Sequence, residues 1–284
     1  MTVLALVAAA PLQAADAPAL VTIVEGAGLV IEGARSVAAA PGLKLNAATI
    51  IDTTPATALL RIEFADGSLL DLGPDTRVML QPPGLAGGGP RGPAYYLLQG
   101  WAKHTSGGGG KAGGQLAFAA EVQQPSGVTV SRVSGEALQL FVETGALQLQ
   151  ERRIKPASAL ALKAGEFYQR DGADKGQVSP RPAPGFLQSV PKGFRDTIPP
   201  RAAQLKGRPP EPQTQPWPGY AALKAWLSAE PVIRREFPRR FAVPARDAAF
   251  RDGLVKNLAS HPEWEPVLFP PKPASAPSSP SSRP

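Results

Sequence analysis

The sequence predicts a mainly β protein: a β-sandwich or β-solenoid-like domain followed by a small α-helical C-terminal region. Three observations carry that reading. Residues 58–64 alternate, with Leu60, Ile62 and Phe64 on one side and Leu59, Arg61 and Glu63 on the other, the period of a half-buried strand. Turn signals recur roughly every ten residues between Val21 and Arg170. The 33 prolines and 29 glycines among 284 residues interrupt the chain too often for long helices.

The elements follow in chain order. Residues 1–17, with an apolar run from Leu4 to Leu12 and small residues after it, read as a secretory signal peptide. Residues 20–107 form the first part of the β domain. Val21–Val24 and Gly28–Ile31 are short strands flanked by glycine. Asp66 and Gly67 form the structural turn of a hairpin between residues 58–64 and Leu70–Leu72, because glycine accepts the positive φ of a tight turn. Gly73-Pro74-Asp75 makes the next turn, Val78–Leu80 the next strand, Pro82–Gly92 a loop, and Tyr95–Trp101 a further strand.

Residues 108–178 continue the β domain. The tract at 106–114 (SGGGGKAGG) is a loop tip; Ala112 follows Lys111, so the phosphate-loop pattern is missed. Strands are expected at Leu116–Val122, Val128–Val133 and Ala137–Thr144. Gly145 reads as a turn from which Ala146–Gln150 pairs back. Leu160–Leu162 and Phe167-Tyr168 close the series.

Beyond it, residues 179–218 read as an extended, proline-rich linker whose stretch from Phe186 to Arg201 docks on the β core. Residues 219–269 form a basic helical region. One helix runs from Pro218 to about Ala229 with Leu223, Trp226 and Leu227 on one face, and a second from Ala245 to Ser260 with Phe250, Leu254 and Leu258. Asp247 suits the positive N-terminal end of the second. Trp264, Val267, Leu268 and Phe269 are expected to fold back, and residues 270–284 to be a disordered tail.

Charge divides the chain in the same place. Residues 1–189 carry 15 basic and 15 acidic side chains; residues 190–284 carry 15 and 8, the whole of the net +7. The densest cluster is Arg234, Arg235, Arg239 and Arg240 with Phe237 between them. These four arginines are the candidate partner-binding residues, a patch for lipid head groups, an anionic cell-wall polymer or an acidic protein. The alternative is that they lie over apolar surface with their stems on Phe237 and Phe241.

The stretch from Val21 to Trp101 resembles the periplasmic FecR-like domain known from iron-dicitrate sensor-regulators. The resemblance rests on Gly42–Ala47, on Ile50-Ile51-Asp52-Thr53, on Ala58–Leu72 (ALLRIEFADGSLLDL) and on Gln99-Gly100-Trp101; Val142–Leu149 and Leu162–Glu166 extend it. It implies a FecR-type β domain acting as a binding or signal-input module, with no catalytic residues to carry over. Well-known regulators of the family place a sigma-factor-binding segment and a membrane helix before the domain. Here the resembling stretch follows the leader, so a free-standing periplasmic or secreted domain is expected, with no transmembrane segment in the mature chain.

The chemistry-bearing residues are few. Without cysteine there is no disulfide, thiolate metal site, cysteine nucleophile or lipid-anchor cysteine. His104 and His261 fall in different regions and match no zinc-ligand spacing. No G-x-S-x-G elbow occurs. Asp66 reads as the turn residue and Asp71 as a solvent-facing strand position; Asp171 and Asp174 read as a turn. Trp101, Trp217, Trp226 and Trp264 fit core packing better than a stacking platform. No catalytic residue, metal or cofactor is expected. The partner is an envelope protein or anionic envelope polymer and not nucleic acid, the alternatives being a cell-wall scaffold or a wall hydrolase.

Overall fold

A computed structural model describes residues 19–82, 93–107, 113–117, 120–152, 159–172 and 174–270. The leader expected at 1–17, nearly all of the loop at 82–92, the loop tip beyond residue 107 as far as 112, and the tail from 271 onward lie outside the described residues. Among the described residues there are fifteen strands: β1 (Ala19–Glu25), β2 (Gly28–Glu32), β3 (Arg35–Ala38), β4 (Lys44–Leu45), β5 (Ile50–Thr53), β6 (Leu59–Glu63), β7 (Leu69–Leu72), β8 (Arg77–Leu80), β9 (Pro93–Thr105), β10 (Gly113–Ala117), β11 (Ala120–Ser134), β12 (Ala137–Glu151), β13 (Ala159–Lys163), β14 (Phe167–Arg170) and β15 (Gln177–Ser179). The helices are α1 (Pro184–Ser189), α2 (Tyr220–Leu227), α3 (Pro231–Arg234), α4 (Phe237–Arg240), α5 (Ala248–Lys256) and α6 (Glu265–Leu268).

The strands make one hydrogen-bonded network that folds over on itself as two layers. The first layer runs β4-β1-β6-β7-β9-β11-β12-β14-β15, using the second half of β9 and of β11 and the first half of β12. The second runs β3-β2-β5-β8-β9-β10-β11-β12-β13, using the other halves. Among the described residues only β9 and β10 pair parallel; the other ladders are antiparallel, the arrangement of a sandwich rather than a parallel solenoid. Three long strands therefore belong to both layers and must bend.

Glycine marks each bend. Gly100 in β9, Gly127 in β11 and Gly145 in β12 have φ of +91°, +100° and +78°. Gly127 and Gly145 stand opposite each other in the ladder, where β11 and β12 also shift register. A Cβ on Gly127 would lie 2.0 Å from the Thr144 carbonyl oxygen, and one on Gly145 would lie 2.3 Å from that of Ser126. Gly145 is thus a corner within one continuous strand, not the hairpin turn expected from the sequence. A positive-φ glycine between apolar runs signals both, and only long-range pairing separates them.

Polar side chains complete the hydrogen bonding that the bends interrupt. The Thr76 hydroxyl accepts from the Trp101 amide at 2.9 Å, and Thr53 Oγ1 donates to the Gly73 carbonyl at 2.7 Å while accepting from the Thr76 amide at 2.8 Å. Gln124 Nε2 donates to the Gly127 carbonyl at 2.7 Å, and its Oε1 lies 3.1 Å from His104 Nδ1.

Alternation then sorts the side chains. Leu60, Ile62, Leu70 and Leu72 from the first layer meet Val30, Ile51, Val78 and Leu97 from the second in one buried core. The opposite faces are also covered. Ile31, Ile50, Met79 and Tyr96 pack under the helical region, with Trp226, Phe237, Phe241 and Trp264. Ile23, Leu59, Trp101 and Phe167 pack under Phe186 and Phe194. The stretch expected as an extended linker is docked, and it contains α1 and 3-10 turns at Lys192–Phe194 and Ala202–Leu205. Residues 213–215 even join the edge strand β3, with Ala38 N donating to the Gln213 carbonyl and Gln215 N to that of Ser36, both at 2.9 Å. This covers an edge that would otherwise offer unpaired groups to other chains.

The helices are shorter than their sequence patterns. Asp247 caps α5 by accepting from Phe250 N at 2.8 Å, but the helix ends at Lys256 and the chain tightens into a 3-10 turn at Leu258–Ser260. Of the four apolar residues expected to fold back, Trp264 and Leu268 are buried whereas Val267 and Phe269 are exposed.

The bends make a direct prediction. Gly127→Ala adds a steric clash to positive-φ strain and should cost about 3 kcal/mol or more in denaturant unfolding. At Gly67, φ +81°, the nearest atom to an added Cβ is 4.0 Å away; there the loss should be about 1 kcal/mol. Equal losses at the two positions would contradict the corner assignment.

Candidate functional site

The outer face of the first layer concentrates charge that the alternation of β6 placed there. Arg61 and Asp71 are cross-strand partners in the β6–β7 hairpin. Arg61 Nε and Nη2 donate to the two Asp71 oxygens at 2.6 and 2.7 Å, a bidentate pair with side chains only 4% and 5% exposed. Burial works against the Arg61 charge, but hydrogen bonds and charge from Asp71, with Glu63 beyond, hold the guanidinium above its ordinary range. Next to them, Lys103 Nζ pairs with Glu143 at 2.9 Å.

These groups hold the chain that crosses them. Arg61 Nη1 donates to the Ile198 carbonyl at 2.6 Å, and Lys103 Nζ to the Phe194 carbonyl at 2.7 Å. The Glu63 carboxylate accepts from the Arg201 amide at 2.7 Å and the Ala202 amide at 2.9 Å. Two aromatic anchors accompany these main-chain contacts. Phe186 sits 4.8 Å from the Phe167 ring and 5.4 Å from Trp101, whose ring also carries Arg132 at 5.1 Å. Asp71 is thus buried, where the sequence suggested a solvent-facing position, because a segment 127 residues away along the chain (198 − 71) covers it through the shared Arg61.

The structure divides the four candidate arginines. Arg240 is structural: Nη1 donates to the Ala48 carbonyl at 2.6 Å, Nη2 to that of Ile31 at 2.9 Å, and the group lies 5.2 Å over the Phe241 ring. Burial brings its pKa down to about 10, which still leaves it charged at neutral pH. Arg234 Nε pairs with Glu263 at 2.9 Å and Nη1 donates to the Ser260 carbonyl at 2.8 Å. Arg235 and Arg239 are exposed. They lie four residues apart on a nearly continuous helical path from α3 through α4, and so share a face.

Asp66 and Gly67 make the hairpin turn. Asp66 Oδ1 accepts from the Ser68 amide at 2.9 Å, and Gly67 N donates to the Phe64 carbonyl at 2.9 Å. Both histidines are buried and pushed below their ordinary pKa, chiefly by burial: His104 beside Gln124 at the β11 corner, and His261 with Nε2 3.1 Å from the Tyr220 hydroxyl. Among the described residues, no three of His, Cys, Asp and Glu gather as metal ligands, and no helix is long and apolar enough to cross a membrane.

A second set of residues ties the helical region to the second layer. The sequence marks Trp226 for packing and Asp52 as part of the resembling stretch, but it does not pair them, and it does not single out Arg77, Arg152 or Glu230. Asp52 accepts from Trp226 Nε1 at 3.0 Å, with Arg77 3.9 Å away. Glu230 accepts from the Tyr96 hydroxyl at 3.2 Å and pairs with Arg152 at 3.0 Å. Burial drives the Asp52 pKa up to about 6, against the opposing hydrogen bond from Trp226 and charge of Arg77.

No family model matches the chain, and no curated protein matches it. Among solved structures, two from Parabacteroides distasonis, each described as a "putative anti-sigma factor", align with TM-scores of 0.40 and 0.39 at 16% identity. The alignments cover 49% of this chain and 64% and 65% of those chains, so this chain spans less than two thirds of either.

Asp52 gives the protein a pH dependence of known sign. The folded form holds the proton more tightly than the unfolded chain, whose aspartate titrates near 4. Stability from this group is therefore full below pH 4 and is lost as pH rises through about 6. Relative to Asp52→Asn, the parent should lose about 2 kcal/mol between pH 4 and 7. Matched pH profiles of the two proteins, followed by tryptophan fluorescence, would contradict this if they ran parallel.

Proposed function

We propose that this chain is an exported, non-catalytic binding or signal-input module of the cell envelope, of the FecR-like kind. The observation that carries the reading is the outer face of the first layer, where Arg61, Glu63 and Lys103 hold a length of polypeptide by its main chain. Such a face suits a protein segment as ligand, and it lies on the hairpin that carries the strongest part of the family resemblance. The other resembling segments fall on β4 and β5, on the β9 corner at Gln99-Gly100-Trp101, on β12 across its corner at Gly145, and on the end of β13 with its turn at Gly165. The partner is an envelope protein, and neither a cofactor nor nucleic acid has a part in the reading.

An anionic envelope polymer is the second reading, favoured by the exposed Arg235 and Arg239. Exposed charges are screened beyond about 8 Å near physiological ionic strength, so this attraction should weaken with salt. Arg235→Gln/Arg239→Gln should release the chain from isolated envelopes at low salt and leave its melting temperature unchanged. Arg240→Gln, which strands two buried carbonyls, should instead lower stability by about 2 kcal/mol. Fractionation of a tagged full-length chain tests the location. Recovery from the cytoplasm alone would overturn the envelope assignment, and undiminished retention of the double variant would remove the anionic polymer.

A further inference from the structure

The two outer faces of the sandwich are covered in different ways. On the second layer the helical region buries a continuous apolar set, including Ile31, Ile50, Met79, Trp226, Phe241 and Trp264. Lifting that region would expose all of it to water. The strap formed by residues 184–202 on the first layer buries a smaller apolar set, in which its own Phe186 and Phe194, with Val190 and Ile198 beside them, cover Ile23, Leu59, Trp101, Val130 and Phe167.

Two of the three charged groups beneath the strap also keep partners of their own: Arg61 retains Asp71 and Lys103 retains Glu143. The Glu63 carboxylate, which the Arg201 and Ala202 amides hold, is opened to water when the strap leaves. Removing the strap strands no buried charge, which is the usual heavy cost of breaking such a contact. What the clasp reads is main chain: the carbonyls of Phe194 and Ile198 and the amides of Arg201 and Ala202. The strap presents them from a 3-10 turn at Lys192–Phe194, the irregular chain after it, and the start of a second 3-10 turn at Ala202–Leu205; every peptide carries such groups, so the clasp does not depend on the side chains at those positions.

We infer that the strap is an exchangeable, built-in ligand, and that the outer face of the first layer binds a peptide segment of a partner protein in its place. The segment carries two bulky apolar side chains eight residues apart, the spacing of Phe186 and Phe194, followed by main chain whose carbonyl and amide groups Arg61 and Glu63 engage. This deepens the binding-module reading and rests on it; the strap holds the face closed until the segment displaces it. The apparent affinity for the segment falls by the fraction of molecules whose strap is open.

The test uses the full chain and a labelled synthetic peptide of residues 184–202. Phe186→Ala/Phe194→Ala loosens the strap and should bind the peptide at least about tenfold more tightly than the parent. Adding Glu63→Gln, which weakens the acceptor for two amides, should reverse most of that gain. A folded double variant that binds no better than the parent, or a Glu63→Gln change without effect, would overturn the proposal. If the double variant loses its β structure, an environment-sensitive dye on Gln188→Cys in the otherwise cysteine-free parent decides. Excess peptide should change the dye signal saturably, and a peptide with both phenylalanines replaced by alanine should not. No change at millimolar peptide overturns the proposal. Envelope retention is read separately, so loss of peptide binding with retention intact rejects the strap and not the module.

Discussion

The rest of the structure depends on a backbone constraint: β9, β11 and β12 must each pass from one layer to the other without ending. Gly100, Gly127 and Gly145 make this possible. Each takes a positive φ, and neighbouring backbone lies within 2.0–2.6 Å of where any Cβ would stand. The Gly127–Gly145 pair sets the bend in two adjacent strands at one ladder position. Because the ladders continue through the bends, the layers are one network. Apolar residues from both then close on a shared core containing Leu60, Ile62, Val78, Leu97 and Val122.

Folding the network this way leaves two outer faces, and their chemistry decides what happens next. Residues 184–269 wrap the sandwich, crossing one face as a strap, pairing along the β3 edge, and capping the other face with short helices. The cap is held by apolar burial and by pins at Asp52, Glu230 and Arg240, each reaching between the cap and the second layer. The strap is held by two aromatic anchors, Phe186 and Phe194, over a smaller apolar set, and by charged side chains gripping main chain. The positive charge of the C-terminal third therefore does two jobs: Arg234 and Arg240 fasten the cap, and Arg235 and Arg239 face solvent.

Local structure was legible in the sequence wherever a signal and its cause lay close together. The alternation of residues 59–63, the Asp66-Gly67 turn and the apolar faces of α2 and α5 all need only neighbouring residues. Residues whose partners are distant in sequence were not legible. Gly145 looks like a turn until β11 is known to run beside it on both sides. Asp71 looks exposed until Ile198 is known to lie over Arg61. The one clue was register: a turn at Asp66-Gly67 places Arg61 opposite Asp71, so the ion pair, though not its cover, could have been read from the hairpin. The arginine cluster was visible as charge, but its division into two roles follows from carbonyls at Ala48 and Ile31 that no local pattern reveals.

The central claim is that the bent network creates one permanently covered face and one exchangeably covered face. Amide hydrogen exchange on the full chain, resolved by residue, tests it most directly. The account predicts that the Arg201 and Ala202 amides, bonded to Glu63, exchange through a local opening well below the global unfolding free energy. The cap amides of Phe241 and Phe250 should exchange only near the global value, together with the β11–β12 ladder. If the strap amides exchange no faster than that ladder, or the cap amides open as readily as the strap, the two faces are not different in kind and the account is wrong.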